Sequence, residues 1–162
     1  MKPQFEKILP ALVGGGVEFI VVGGFAAIVH GAARTTFDVD LVYARTRMNI
    51  DRLVAVLAPH SPVLRDAPAD LPFTFDVPTV RNGSNFTLRT GLGDVDLFGD
   101  IAGGQTYDEL LGGTVEIEAF GVRFNCIDLA GLIRLKEKAG RPKDLEAIAE
   151  LRVLLEERSR QR

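Results

Sequence analysis

Two aspartates one residue apart, Asp38 and Asp40, stand inside the apolar run TFDVDLVY. In a strand, successive side chains face opposite sides. Phe37, Val39 and Leu41 are therefore expected on one buried face. Asp38 and Asp40 fall on the other, with Cβ atoms about 7 Å apart. Two carboxylates that close repel each other, and burial raises their pKa values further. A divalent cation reverses both penalties because it binds the ionised forms. Hard oxygen donors suit magnesium or manganese. A third acid would complete such a site, and GLGDVDLFGD offers Asp94, Asp96 and Asp100. Asp96 lies well inside a strand pattern, between Val95 and Leu97, whereas Asp94 and Asp100 read as solvated turn residues. With Asp96 beside Asp38 and Asp40, two metal ions ~3.5–4 Å apart could bind, one activating a nucleophile and one holding a leaving phosphate.

Gly23 and Gly24 stand upstream, between an apolar run and a short helical pattern. A strand entering a glycine pair and then a helix can cradle phosphate: backbone N–H groups point outward and no side chain blocks the approach. The pair alone is a weak signal. It does not fit the GxGxxG spacing of a dinucleotide site, and GGGVEF precedes a strand rather than a helix.

The elements that must position these residues follow from periodicity. FEKILPALV has helical spacing, with Pro10 either kinking the helix or marking a late start, and GGG at 14–16 closes it. VEFIVV reads as a buried strand, FAAIVHGAA as a short helix and NIDRLVAVLA as an amphipathic helix with Asn49 or Asp51 near its N-cap. Five of the eight prolines fall between Pro59 and Pro78. That segment reads as an irregular or edge excursion, with a short strand at 62–65 or 71–76. SNFTLRT and DVDLF form a hairpin through GLG, and TVEIEAFGVRFNCI forms another through Gly121. GGQTYDELL is a loop entering a short helix. DLAGLIRLKEKA and PKDLEAIAELRVLLEERS are two helices broken at Gly140, the second opening at Pro142. The order predicts an α/β (α+β) fold, a mixed sheet with helices packed on it and a helical C-terminus. One domain over 1–162 is expected, with a core over 1–127 and C-terminal helices over 128–158.

Composition narrows the class. A chain of 162 residues, 46% hydrophobic and 25% charged, is expected to be globular and soluble. No apolar stretch approaches the ~20 residues of a membrane helix, and MKPQFEKILP lacks the apolar core of a signal peptide. Cys126 is the only cysteine, which excludes an intrachain disulfide and argues against cysteine-held zinc. The cytoplasm is the expected compartment. The net charge of −3 opposes non-specific nucleic-acid binding by the whole surface. The balance is uneven: residues 1–133 carry −6 and residues 134–162 carry +3. A solvated helix face explains the basic segment as simply as a phosphate site does.

The combination of motifs is more specific than its parts. An apolar strand, Gly-Gly, a helix and then RTTFDVDLVY, with a later strand aspartate, resembles the signature of the DNA polymerase beta-like nucleotidyltransferase superfamily. The matching positions are Gly23, Gly24, Asp38, Asp40 and Asp96. The family often has a serine after or in place of the second glycine. Here Gly24 and Phe25 leave only backbone contacts to phosphate. Arg34 and Thr35 ahead of the aspartates, and LIRLKEKAGRPKDLEAIAEL near the end, are similar to small prokaryotic members, among them the toxins of abortive-infection, type IV toxin–antitoxin systems. The resemblance covers roughly residues 8–152. It implies the nucleotidyltransferase fold and transfer of a nucleoside monophosphate from a triphosphate to an acceptor hydroxyl, with release of pyrophosphate. Asp38 and Asp40 would ligate two magnesium (or manganese) ions. Asp96 would ligate the catalytic one and could accept the hydroxyl proton. Arg34, Thr35, Lys136 and Lys143 would serve the nucleotide, and Asp144 would orient a lysine or the acceptor. The acceptor could be RNA, protein or a small molecule, and an antitoxin or helical partner protein is a possible companion.

Simpler roles compete at several of these positions. Arg34 could equally be a helix-end arginine facing water, and Thr35 and Thr36 could merely begin the strand. His30 reads as a cap or packed residue, His60 as exposed and Cys126 as core. Tyr107 could stack on a base, but TYDEL more simply opens a helix capped by Thr106. Two other classes compete with the enzyme. One is a non-catalytic nucleotide- or partner-binding module of the same fold. The other is a glycosyltransferase using DVD as its metal motif, which would leave Gly23-Gly24 and Asp96 without a role.

Overall fold

A computed structural model describes residues 4–161. Nine strands and seven α-helices alternate along the described chain. Seven strands form one mixed sheet in the order β3-β4-β5-β2-β1-β9-β8. These are β1 (Phe19–Val22), β2 (Asp38–Tyr43), β3 (Val63–Leu64), β4 (Phe86–Thr90), β5 (Gly93–Phe98), β8 (Thr114–Ala119) and β9 (Val122–Ile127). The short strands β6 (Asp100–Ile101) and β7 (Gln105–Thr106) pair separately. The helices are α1 (Phe5–Gly14), α2 (Gly23–Val29), α3 (Arg47–Leu57), α4 (Val77–Asn82), α5 (Tyr107–Leu110), α6 (Leu129–Ala139) and α7 (Pro142–Arg160). This is the mixed sheet with packed helices and helical C-terminus that the order of sequence patterns predicts. Among the described residues no helix is long and apolar enough to cross a membrane.

The centre of the sheet follows from burial on both faces. β1 is four apolar residues, all buried, as a strand covered on both sides requires. It pairs antiparallel with β2 and parallel with β9. β2 in turn pairs parallel with β5, which β4 joins antiparallel through a tight turn. At that turn the Thr90 hydroxyl donates to the Gly93 carbonyl at 2.8 Å and accepts from the Leu92 amide at 3.0 Å. The β8–β9 hairpin turns through Phe120 and Gly121, both at positive φ, as a two-residue primed turn demands.

Several local expectations change. Phe37 does not join the buried face. β2 begins one residue later, and Phe37 is 54% exposed. Helix α3 starts at Arg47, capped by Thr46, whose hydroxyl accepts the Asn49 amide. Asn49 is instead buried, its side-chain amide joining Glu18 and Ala44. Pro10 lies inside α1 and does not delay its start. Of the proline-rich segment only Val63–Leu64 pairs, at the sheet edge. Residues 71–76 form no strand, and Asp76 caps α4 through the Thr79 amide. Asp128 caps α6 through the Gly131 amide at 2.6 Å, and α6 stops at Gly140, where φ is +64°. Pro142 occupies the first turn of α7.

Candidate active site

The pairing of β2 with β5 builds the acidic face. Asp38 lies opposite Asp94, and Asp40 opposite Asp96. In parallel register, opposed residues share a face, so four carboxylates crowd one side while Val39, Leu41, Val95 and Leu97 are fully buried on the other. Asp38, Asp40 and Asp96 each present an oxygen within 4.8 Å of the others. That spacing lets one small cation touch all three at ordinary metal–oxygen distances. Asp94 is not the solvated turn residue that GLG suggests. It sits inside β5, with its side chain only 11% exposed. Asp100 is exposed just past β5, where the sequence places it.

Burial and mutual repulsion dominate the electrostatics. Asp40 is pushed up to about 8, first by burial and then by the charges of Asp38 and Asp96. Asp96 is raised too, mainly by burial, with Arg65 opposing. Asp40 Oδ1 is buried with no hydrogen-bond partner. A buried carboxylate oxygen without a donor, beside two further carboxylates, is the chemistry of a hard-cation ligand set. The residues therefore fit a divalent metal.

Arg65, the residue after β3, supplies the counter-charge. Nη2 lies 2.5 Å from Asp96 Oδ1 and 3.4 Å from Asp38 Oδ2, and Nη1 lies 3.7 Å from Asp94 Oδ2. No motif in the sequence singles it out. Sheet register explains its position: the Arg65 amide bonds the Thr87 carbonyl, Thr87 pairs with Asp96, and Asp96 pairs with Asp40. Arg65 thus heads the row that crosses the sheet to Asp40. A strand assignment accurate to one residue in the proline-rich segment is the only signal for it. Thr36 does more than begin the strand. Its hydroxyl donates to Asp38 Oδ1 at 3.0 Å and orients that carboxylate.

Gly23 acts through space as well as backbone freedom. Its φ is +69°, and a Cβ there would run into Asp40 Oδ2. The glycine keeps the Asp40 carboxylate in place. Gly23→Ala is expected to displace Asp40 and strain the backbone, lowering stability by about 1–3 kcal/mol. Denaturant melts of the two chains measure it, and an unchanged midpoint would contradict this role.

A cleft of about 390 Å³ opens beside Asp40, the one member of the triad that lines it. Gly23 and Asp40 line one side, the loop from Asp100 to Gly104 another, and Lys136, Arg141 and Asp144 the third. Lys136 lies 3.8 Å from Asp144 Oδ1 and is pulled below its ordinary pKa by burial, with Asp144 opposing. Asp144 is buried, and hydrogen bonds from Arg141 hold its carboxyl below the usual range. Lys136 and Asp144 therefore meet at the cleft, while Lys143 is exposed and does not line it. Arg34 is ion-paired with Glu150 at 3.4 Å, and Thr35 is exposed; neither lines the cleft. Gly24 faces Thr36 rather than the cavity. His30, the C-cap residue that follows α2, is buried and packed, with Nε2 2.7 Å from the Ile127 carbonyl oxygen.

No protein-family model matches the chain, and no curated protein matches it. Among solved structures it is similar to a crystal structure from Thermotoga maritima that is named a "putative nucleotidyltransferase". The TM-score is 0.56 at 16% identity, over 94% of this chain and 91% of that one. At that identity the likeness is one of fold: the chain has the nucleotidyltransferase fold.

Proposed function

We propose that the chain is a metal-dependent nucleotidyltransferase. It would move a nucleoside monophosphate from a triphosphate to an acceptor hydroxyl and release pyrophosphate. The observation that carries the reading is the convergence of Asp38, Asp40 and Asp96 at a cleft that Asp40 lines together with Lys136 and Arg141. Asp38, Asp40 and Asp96 would hold a divalent cation, magnesium or manganese. When bound, it would neutralise the phosphates and lower the pKa of the attacking hydroxyl. Lys136 and Arg141 would bind the phosphate chain, and Asp144 would keep the lysine aimed at it. Asp96 would accept the acceptor's proton. Thr36 would hold the Asp38 carboxylate in its ligating pose. Catalysis here is positioning and charge stabilisation, as phosphoryl transfer requires.

Purified chain with magnesium and labelled nucleoside triphosphates should transfer label to RNA, protein or a small-molecule acceptor. Lys136→Met should weaken nucleotide binding about 10–100-fold, the value of one lost charge-assisted contact. No transfer to any acceptor, with no nucleotide-dependent rise in melting temperature, would sink the proposal. The finer reading is a toxin-type enzyme restrained by an antitoxin or helical partner. Growth arrest on expression, lost in the Asp96→Asn chain, tests it. One observation favours a second reading, a non-catalytic nucleotide- or partner-binding module: Arg65 already satisfies part of the acidic charge. Nucleotide binding that persists in Asp38→Ala without magnesium would select that module.

A further inference from the structure

The guanidinium of Arg65 does more than balance charge, because of which atoms it touches. Nη2 bonds one oxygen each of Asp38 and Asp96, two members of the triad. Nη1 bonds the Leu88 carbonyl at 3.1 Å and faces Asp94, neither of which belongs to the triad. One half of the fork therefore sits on the metal's ligands and the other half is anchored beside them. The side chain is 14% exposed, so these contacts are little screened by water. An arginine stays charged at any working pH, so the competition cannot be relieved by deprotonation.

We infer that Arg65 is a built-in counter-cation that occupies the acid cluster until a divalent metal displaces it. Metal loading is then an exchange of one cation for another. Asp94, the fourth carboxylate, has a place in this scheme: with the Leu88 carbonyl it retains the guanidinium after Nη2 has left Asp38 and Asp96. The exchange keeps four crowded carboxylates folded without metal and makes the site release metal readily. The inference rests on the metal half of the proposed function and not on nucleotide transfer.

Calorimetric titration of manganese into the full metal-free chain, without nucleotide, tests it. Arg65→Gln removes the competing charge and should bind manganese about tenfold or more tighter than the unsubstituted chain. Arg65→Lys keeps a charge there and should stay within about threefold. Without metal, Arg65→Gln should melt lower than the unsubstituted chain, and saturating manganese should restore its melting temperature. Equal or weaker manganese binding by Arg65→Gln overturns the inference while leaving the metal site standing. Binding by neither chain overturns both. If Arg65→Gln is unfolded in chelator, recovery of a melting transition on adding manganese supports the exchange. A chain that stays unfolded with manganese refutes it.

Discussion

Asp40→Asn is expected to abolish the response to divalent metal while leaving the metal-free fold intact. Asp40 keeps its proton to about pH 8 in the metal-free chain, so below that pH asparagine replaces a neutral group of the same shape. Fold stability near pH 6 should change little. The metal, however, requires the ionised carboxylate, and the buried Asp40 Oδ1 has no other partner. In the unsubstituted chain, manganese at 100 times its dissociation constant should add about 2.7 kcal/mol, a rise of several degrees in melting temperature. The Asp40→Asn chain should show none of it. Transfer should fall by about 10³ or more, the scale of losing a central charge-stabilising group. Wild-type manganese affinity in the substituted chain would remove Asp40 from the site.

The second large effect is on pH. An unfolded chain ionises Asp40 at its ordinary 3.8, whereas the fold holds the proton to about 8. Between those values the folded state binds more protons than the unfolded one, so stability falls as pH rises. The contribution is complete below about pH 4 and lost by about pH 8. Asp96, raised by burial, acts in the same direction. Asp144 and Asp76, held low by hydrogen bonds, act oppositely and only at the acid end, where their protonation removes stability. Melting temperature in chelator should therefore drop by several degrees more between pH 5 and 8 in the unsubstituted chain than in Asp40→Asn. Manganese affinity should climb with pH by up to tenfold per unit over the same range, since binding displaces the proton. Parallel pH profiles for the two chains would contradict the assignment.

The triad is legible in the sequence because strand parity is a strong rule. Asp38, Asp40 and Asp96 each break an apolar strand pattern on the face that needs a reason to be polar. Lys136 and Asp144 come from resemblance, and they meet at the cleft because Gly140 folds α7 back on α6. Lys143, one residue from Asp144, points away, as neighbours on a helix do. Asp94 is misread because a hairpin boundary is uncertain by a residue, and Phe37 because a strand begins one residue late. Arg65 is hidden more deeply. Its strand is two residues long, lies among prolines at a sheet edge, and acquires its register only from β4. Local sequence carries no trace of a partner two strands away.

The parallel pairing of β2 with β5 has a consequence for when the acidic site forms. Asp40 and Asp96 are more than fifty residues apart, and parallel neighbours cannot be joined by a hairpin. Closing so long a loop delays this pairing relative to the two local hairpins. A nascent or partly collapsed chain thus carries the DVD motif without its third ligand. The acid cluster is complete only once this long-range pairing has formed, so an incompletely folded chain lacks the assembled site.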